Sequence, residues 1–151
     1  MTDSLFHRIV VPTDFSECAE GAWALAQRVA AMSGAELVLV HVLVEAPLFS
    51  ENALTMDRVR GVYEAARTWG QRSLDAWMEQ ARAKGIKVRV ALRTGAPYRE
   101  IVDLATDEHA DLVVIGTHGR GGIDRALLGS VADRVLRLAP CPVLTVRAAS
   151  D

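Results

Sequence analysis

The sequence contains few cysteines, few aromatic residues and little net charge. Its two cysteines, Cys18 and Cys141, cannot form the disulfide framework of a small secreted domain, and their spacing does not indicate a zinc site. Aromatic residues make up 5% of the chain, which argues against a surface that stacks nucleic-acid bases. The formal net charge is −2, so the protein has no general basic field for nucleic acid or for an anionic membrane.

Long hydrophobic runs are also missing. No apolar run approaches the roughly 18 residues that are needed to cross a bilayer. The first residues, MTDSLFHRIVVPTD, include an acidic residue at position 3 and lack the apolar core of a signal peptide. We therefore expect a reduced, cytoplasmic protein. A length of 151 residues without repeats or linkers predicts a single domain over residues 1–151.

Five short hydrophobic segments are typical of strands. HRIVVPTD, ELVLVHVLVE and DLVVIG are predicted to be buried strands, KVRVALR alternates as an edge strand does, and CPVLTVR is the last strand. Helical patterns separate these segments, which gives the order βαβαβαβαβ. Strands that alternate with helices predict parallel pairing through right-handed crossovers, and hence a three-layer α/β domain.

The intervening segments have the spacing of apolar residues that is typical of helices. Helices are predicted in four places: residues 16–32, residues 58–84, GAPYREIVDLATDEHA and SVADRVLRLA. In the second of these, Gly61 and Gly70 favour a kink or a break. In the last, Ser130 and Asp133 resemble a capping box, with Ser130 as the N-cap. Residues 45–57 are predicted to be a loop.

The segment GTHGRGGIDRALLGS, residues 116–130, contains five glycines between a predicted strand and a predicted helix. It follows the carboxyl end of the fourth strand, where open α/β sheets bind their ligands. Glycines let backbone N–H groups turn toward an anion, and a helix N-terminus adds a partial positive charge. Ser130 supplies a hydroxyl group and Arg120 a positive charge. The loop is therefore predicted to bind phosphate.

A carboxylate follows the first strand and is expected to border the same crevice. Asp14 lies in VPTDFS, just after that strand. A carboxylate is a poor partner for phosphate, but it accepts hydrogen bonds from ribose hydroxyls. Asp14 could instead cap the first helix, and the two roles are compatible. Phosphate donors on one side and a sugar acceptor on the other suggest a nucleotide.

Other motifs for nucleotide binding and hydrolysis are absent from the sequence. No G-x-x-x-x-G-K-[ST] occurs, no G-x-G-x-x-G follows the first strand, and no G-x-S-x-G is present. None of the four histidines has metal-ligand spacing. His118 lies in the glycine loop without an evident catalytic partner, and His41 is expected to be a core histidine. The tryptophans are expected to form core or dimer contacts: Trp23, Trp69 and Trp77.

Several segments of the sequence resemble the universal stress protein family. The first is IVVPTDFSECAEGAWALA, a strand that ends in Val-Pro-Thr-Asp. The second is the pattern G-x2-G-x9-G-[ST], which marks the ATP-binding members of that family and is matched by Gly116, Gly119, Gly129 and Ser130. VHV at 40–42, GAPYREIVDLA and CPVLTVR also fit, so the resemblance extends over nearly the whole chain.

The resemblance implies a fold, a cofactor and a set of binding residues. The fold is a Rossmann-like open parallel sheet of five strands in the order 3-2-1-4-5, similar to the adenine nucleotide alpha hydrolase-like folds. The cofactor is ATP, with Mg²⁺ bound through its phosphates rather than by protein ligands. The implied binding residues at the nucleoside are Pro12, Thr13 and Asp14, with Asp14 on the ribose. Val42 is implied to contact the adenine, and Ile115 and Gly116 to lie beside the adenosine. The residues implied to bind the phosphates are Gly119, Arg120, Gly129, Ser130 and Val131. His118, Gly121 and Gly122 lie in the same loop and complete the predicted set.

The resemblance also implies a homodimer, formed by antiparallel pairing of the last strand, residues 141–147. An edge strand offers the unpaired backbone groups that such pairing needs. We expect a nucleotide-dependent conformational switch that an unknown protein partner recognises, with no nucleic-acid or membrane partner. Two alternatives stay open. One is a slow ATPase or nucleotide hydrolase, for which the sequence shows no general base near the phosphates; the other is a dimeric interaction module without a ligand.

Overall fold

Strands and helices alternate along the chain. The structure is a computed structural model that describes residues 3–44, 53–119 and 127–148. The elements in these ranges are β1 (Arg8–Pro12), α1 (Glu17–Ser33), β2 (Glu36–Val44), α2 (Ala53–Arg82), β3 (Val88–Gly95), α3 (Pro97–Asp107), β4 (Leu112–Gly116), α4 (Ser130–Leu138) and β5 (Val143–Val146). This order confirms the predicted alternation.

The five strands form one parallel sheet in the order β3-β2-β1-β4-β5. β1 lies at the centre, with β2 on one side, where Ile9 is opposite Leu37, and β4 on the other, where Ile9 is opposite Leu112. The chain therefore leaves β1 toward one edge and later returns to its other side. This reversal opens a crevice beyond the carboxyl ends of β1 and β4, which is the usual ligand position in such sheets. The predicted fold class is confirmed.

Each face of the sheet is covered by two helices. α1 and α2 pack on one face over a core that includes Ile9, Val11 and Leu39, and α3 and α4 pack on the other over Val10 and Val113. Because alternate residues of a strand point to opposite faces, a strand covered on both faces needs apolar residues at every position. Burial of each such side chain contributes roughly 1.5–3 kcal/mol to stability.

The second helix is longer than predicted. α2 runs from Ala53 to Arg82 without a break, so residues 53–57 are helical, and the predictions of a loop there and of a break were wrong; residues 45–52 lie outside the described part of the chain. A Cβ at Gly70 would lie 3.0 Å from His41 Cδ2 and 3.3 Å from Leu92 Cδ1. Gly70 thus serves the close packing of α2 on β2 and β3. No helix in the described ranges is both long and apolar enough to span a membrane.

The helix starts also differ from two predictions. Gly129, not Ser130, is the N-cap of α4, and among the described residues no side chain caps this helix; Ser130 is its first residue. The prediction of a capping box formed by Ser130 and Asp133 is therefore wrong. The N-cap of α1 is Ser16, whose hydroxyl accepts a 3.3 Å hydrogen bond from the Ala19 N–H, so Asp14 is not a cap either.

A network of ion pairs ties the amino ends of the strands together. Arg89 of β3 donates to both carboxylate oxygens of Glu108 at 2.6 and 3.1 Å, and also to Glu36. Arg8 of β1 lies 3.5 Å from Glu36 and 3.6 Å from Glu108. The hydrogen bonds from Arg89 hold the pKa of Glu108 below its usual value of 4.5.

We expect this network to weaken in acid. A carboxyl group whose pKa is lowered by folding stabilises the native state above its unfolded pKa, and this contribution is lost as the pH falls through 4.5 toward the lowered value. Urea unfolding at neutral pH and in acid measures the loss of stability. The loss should be smaller in the variant Glu108→Gln, and an equal loss in both proteins would contradict the assignment.

Candidate functional site

A cavity of about 660 Å³ opens at the carboxyl ends of β1, β2 and β4. It lies at the point where the strand order reverses, and the first turns of α3 and α4 border it. Every predicted binding residue that the structure describes lines this cavity: Pro12, Thr13, Asp14, Val42, Ile115, Gly116, His118, Gly119, Gly129, Ser130 and Val131. The remaining three predicted residues, Arg120, Gly121 and Gly122, lie outside the described residues.

The loop after β1 is held by hydrogen bonds that its backbone N–H groups donate, two of them to its own side chains. Thr13 is 6% exposed; its N–H donates to Val40 O at 2.8 Å, and its hydroxyl accepts from the Phe15 N–H at 2.9 Å. Asp14 Oδ1 accepts from the Ser16 N–H at 2.9 Å. Phe15 has a φ of 62°, which is rare for a residue with a side chain. These contacts fix the Asp14 carboxylate beside the cavity.

The glycine loop approaches this carboxylate from β4. A Cβ on Gly119 would lie 2.8 Å from Asp14 Oδ2, which is closer than a real contact allows. The backbone of Gly119 can lie this close to Asp14 because residue 119 has no side chain. This places the predicted ribose acceptor beside the first residues of the predicted phosphate loop.

The start of α4 is attached to the end of β4. The Gly129 N–H donates to Thr117 O at 2.6 Å, and the Thr117 N–H donates to Val146 O of β5 at 2.9 Å. A Cβ on Gly129 would lie 2.7 Å from Thr117 O, so a side chain cannot be accommodated without movement of backbone. The first turn of α4 thereby borders the cavity, where the free N–H groups and the partial positive charge of a helix N-terminus favour an anion.

Apolar residues form the opposite part of the cavity. Val40, Val42 and Ile115 come from the ends of β2 and β4, and Ile101 comes from α3. An apolar wall opposite a site for anions fits a ligand that has a flat apolar ring at one end and a negative charge at the other.

Two polar side chains beside the glycine loop are linked to each other. Thr117 is 5% exposed, and its hydroxyl lies 2.9 Å from His118 Nδ1. The thiol of Cys18 donates to Val146 O at 3.3 Å and lies 3.8 Å from the Thr117 hydroxyl. His118 Nε2 is buried and has no hydrogen-bond partner among the described residues. The contacts of Cys18 with Val146 and Thr117 pack α1 against the ends of β4 and β5.

The structure adds cavity residues that sequence reasoning did not assign to the site. His41, expected in the core, is half-buried, lines the cavity and contacts Thr13 O through Nδ1 at 2.8 Å. Trp69 of α2 is 45% exposed, lines the cavity and packs edge-on against Phe15, with ring centroids 5.1 Å apart. Pro97, at the start of α3, also lines it. The rule that ligands lie at strand carboxyl ends could have found His41 and Pro97, whereas Trp69 depends on how α2 packs.

The other two tryptophans are core residues, as predicted. Trp23 is 6% exposed and stacks on Trp77 with ring centroids 6.1 Å apart. Trp77 in turn packs edge-on against Phe15 at 5.1 Å. An aromatic cluster thus supports the residue that follows Asp14 and holds its unusual backbone conformation in place.

Comparison with known proteins gives one consistent result. A family model described as the universal stress protein family matches residues 5–147. Universal stress protein MJ0531 of Methanocaldococcus jannaschii is 35% identical over 145 residues, which cover 96% of this chain and 84% of that protein. Universal stress protein MJ0577 of the same organism is 29% identical over 155 residues, which cover 95% and 96% of the two chains.

Solved structures of similar proteins share the fold. The structure of MJ0577 superposes with a TM-score of 0.84 at 28% identity and covers 97% of this chain and 99% of its own. A universal stress protein in complex with cAMP gives a TM-score of 0.72 at 28% identity, with 97% and 100% covered. An Archaeoglobus fulgidus universal stress protein in complex with dAMP gives 0.67 at 25% identity, with 94% and 98% covered.

Proposed function

The chain belongs to the universal stress protein family, and on that premise we propose that it binds ATP in the cavity between Asp14 and the start of α4. Mg²⁺ would be bound through the phosphates of the nucleotide. The observation that carries the proposal is the placement of a carboxylate, two closely packed glycines and a helix N-terminus around one cavity of about 660 Å³.

Each part of a nucleotide has a chemically suitable partner in this cavity. The Asp14 carboxylate would accept hydrogen bonds from the ribose hydroxyls, and Val42 and Ile115 would contact the adenine ring. The backbone N–H groups of Ser130 and Val131, in the first turn of α4, would donate to the phosphates. The adenine nucleotides bound by two proteins of the same family and fold support this assignment.

We further propose that ATP acts as a conformational signal. A nucleotide that contacts Asp14 and the loop 116–130 at once favours the conformations in which these two segments are close together. A protein partner in the cytoplasm would recognise that state. The functional unit would be a homodimer, since β5 lies at an edge of the sheet, where its backbone can pair with a second copy.

The first test is to identify the nucleotide. Protein purified from cells is denatured, and the released small molecules are separated by chromatography; the stripped protein is then titrated with Mg-ATP by calorimetry. We expect released ATP, or binding in the micromolar range. Steady production of ADP or AMP that is lost in Gly119→Ala would instead indicate a nucleotide hydrolase. No nucleotide and no heat at millimolar ATP would indicate an interaction module without a ligand.

A further inference from the structure

We propose that the free edge of β3, together with an arginine-lined groove beside it, binds an extended acidic segment of a partner protein by strand addition. The edge lies on the opposite side of the sheet from β5, and it is separate from the nucleotide cavity. The proposal does not depend on ATP binding.

The backbone of β3 has outward-facing hydrogen-bonding groups. The Lys87 carbonyl accepts from the Leu37 N–H at 2.8 Å and so points toward β2. Because successive backbone groups along a strand point to opposite sides, the groups of Val88, Val90 and Leu92 point away from β2. β3 is the terminal strand of the sheet and pairs only with β2 among the described strands. This edge therefore offers N–H and C=O groups to another strand.

One end of the edge is already blocked. The Arg82 guanidinium, at the end of α2, donates to Val88 O at 2.9 and 3.3 Å. This contact confirms that the Val88 carbonyl faces outward. Among the described residues, no hydrogen bond involves the outward groups of Val90 and Leu92. Strand addition is therefore open from Val90 toward the carboxyl end of β3.

A groove of about 470 Å³ lies beside this open stretch. Leu92 of β3 forms its floor, and α2 forms its wall with Arg67, Thr68, Gln71 and Arg72. Side chains of an added strand alternate between the two faces of the sheet, so every second side chain would enter this groove.

The charge of the groove selects the partner. Arg67 and Arg72 are exposed, and neither forms an ion pair with a described residue, whereas Arg89 and Arg93 of β3 are paired with Glu108 and Glu100. Asp75, on the same helix, accepts a hydrogen bond from Gln71 at 2.9 Å. Two guanidinium groups that have no ion-pair partner among the described residues lie beside a free edge, and they favour carboxylates at alternate positions of the added strand.

The same charges disfavour a second copy of this chain as the occupant. Pairing two β3 edges would bring two Arg67 and Arg72 pairs to one interface, and like charges opposite each other destabilise a strand pair. An acidic segment of another protein places carboxylates there instead. This distinguishes β3 from β5, which we propose as the edge that pairs with a second copy.

The test measures how tightly the protein binds a labelled peptide of about eight residues in which glutamate and valine alternate. Binding is measured by fluorescence anisotropy at low salt. We expect saturable binding that is weakened about tenfold or more in the double variant Arg67→Glu, Arg72→Glu. The matched control is Arg58→Glu, Arg60→Glu, which makes the same charge change on exposed positions of the same helix and should bind the peptide as the wild type does.

Two further arms separate strand addition from simple charge attraction and from self-association. The same peptide with N-methyl groups on alternate residues lacks half of its N–H donors and should bind about tenfold more weakly. The proposal is overturned if the two peptides bind equally well, or if the two double arginine variants weaken binding to the same extent. It is also overturned if the wild-type protein self-associates and the changes at Arg67 and Arg72 abolish that association. Calorimetry with Mg-ATP should give the same affinity for the Arg67/Arg72 variant as for the wild type, so failure of one proposal is distinguishable from failure of the other.

Discussion

Replacing Gly129 by alanine should weaken ATP binding about a hundredfold or more, equivalent to about 2.7 kcal/mol. The φ of Gly129 is −61°, which alanine adopts readily, so the effect comes from contact and not from backbone strain. The new Cβ would lie 2.7 Å from Thr117 O, and the start of α4 must move away from β4 to relieve the overlap. This movement breaks the 2.6 Å hydrogen bond from Gly129 to Thr117 and displaces the N–H groups proposed to bind phosphate.

Calorimetric titration with Mg-ATP measures this effect, and Gly61→Ala is a matched control. Gly61 lies in the exposed part of α2, and no atom of the described residues lies within 4 Å of its added Cβ. Because glycine destabilises a helix interior, this control should gain roughly 0.5–1 kcal/mol of stability and keep its ATP affinity. Unchanged ATP affinity in the folded Gly129→Ala protein would show that α4 does not bind the phosphates.

Replacing Asp14 by alanine should also weaken ATP binding, by roughly ten- to a hundredfold, since a hydrogen bond to a charged group contributes about 1.5–3 kcal/mol. The substitution removes the proposed ribose acceptor and also the acceptor of the Ser16 N–H. Asp14→Asn keeps one oxygen, which can still accept from the Ser16 N–H, and it replaces the charged second oxygen by an NH2 group, so it should lose less affinity than alanine. The comparison of the two variants separates the charge of Asp14 from its role in the turn.

A nucleotide without ribose hydroxyls makes this test specific. Wild-type protein should bind 2′,3′-dideoxy-ATP more weakly than ATP, whereas Asp14→Ala should bind the two nucleotides almost equally. This double-mutant cycle reports the contact itself and is insensitive to a general distortion of the loop. The ribose assignment fails if the wild type does not discriminate between the two nucleotides.

The strand layout could be predicted because a strand that is buried on both faces appears in the sequence as a continuous run of apolar residues. β4 is buried along its whole length, so its five residues, LVVIG, lack the alternation that an exposed face would produce. Glycines were harder to interpret. Gly70 weakens a helix in isolation, but in the folded protein it provides space for His41 and Leu92. The sequence predicts that Gly129 lies in a loop, whereas in the structure it is the N-cap of α4.

The site was predictable where it depends on strand ends and on the glycine spacing. Asp14, Gly119 and Gly129 meet at one cavity because parallel strands bring their carboxyl ends to the same edge of the sheet. Trp69 was not predictable in the same way. Its position at the cavity depends on the depth at which α2 packs on β2 and β3, and local sequence periodicity does not record that distance.

The central position of β1 also has a consequence for folding during synthesis. β1 is complete near the start of the chain, but its partner β4 follows about a hundred residues later, since Ile9 lies opposite Leu112. At about 5–20 residues per second, the ribosome needs roughly 5–20 s to make the intervening segment. During that interval one edge of a strand that is apolar from Ile9 to Pro12 lacks its native neighbour. Chaperone demand should therefore be greatest before β4 leaves the ribosome.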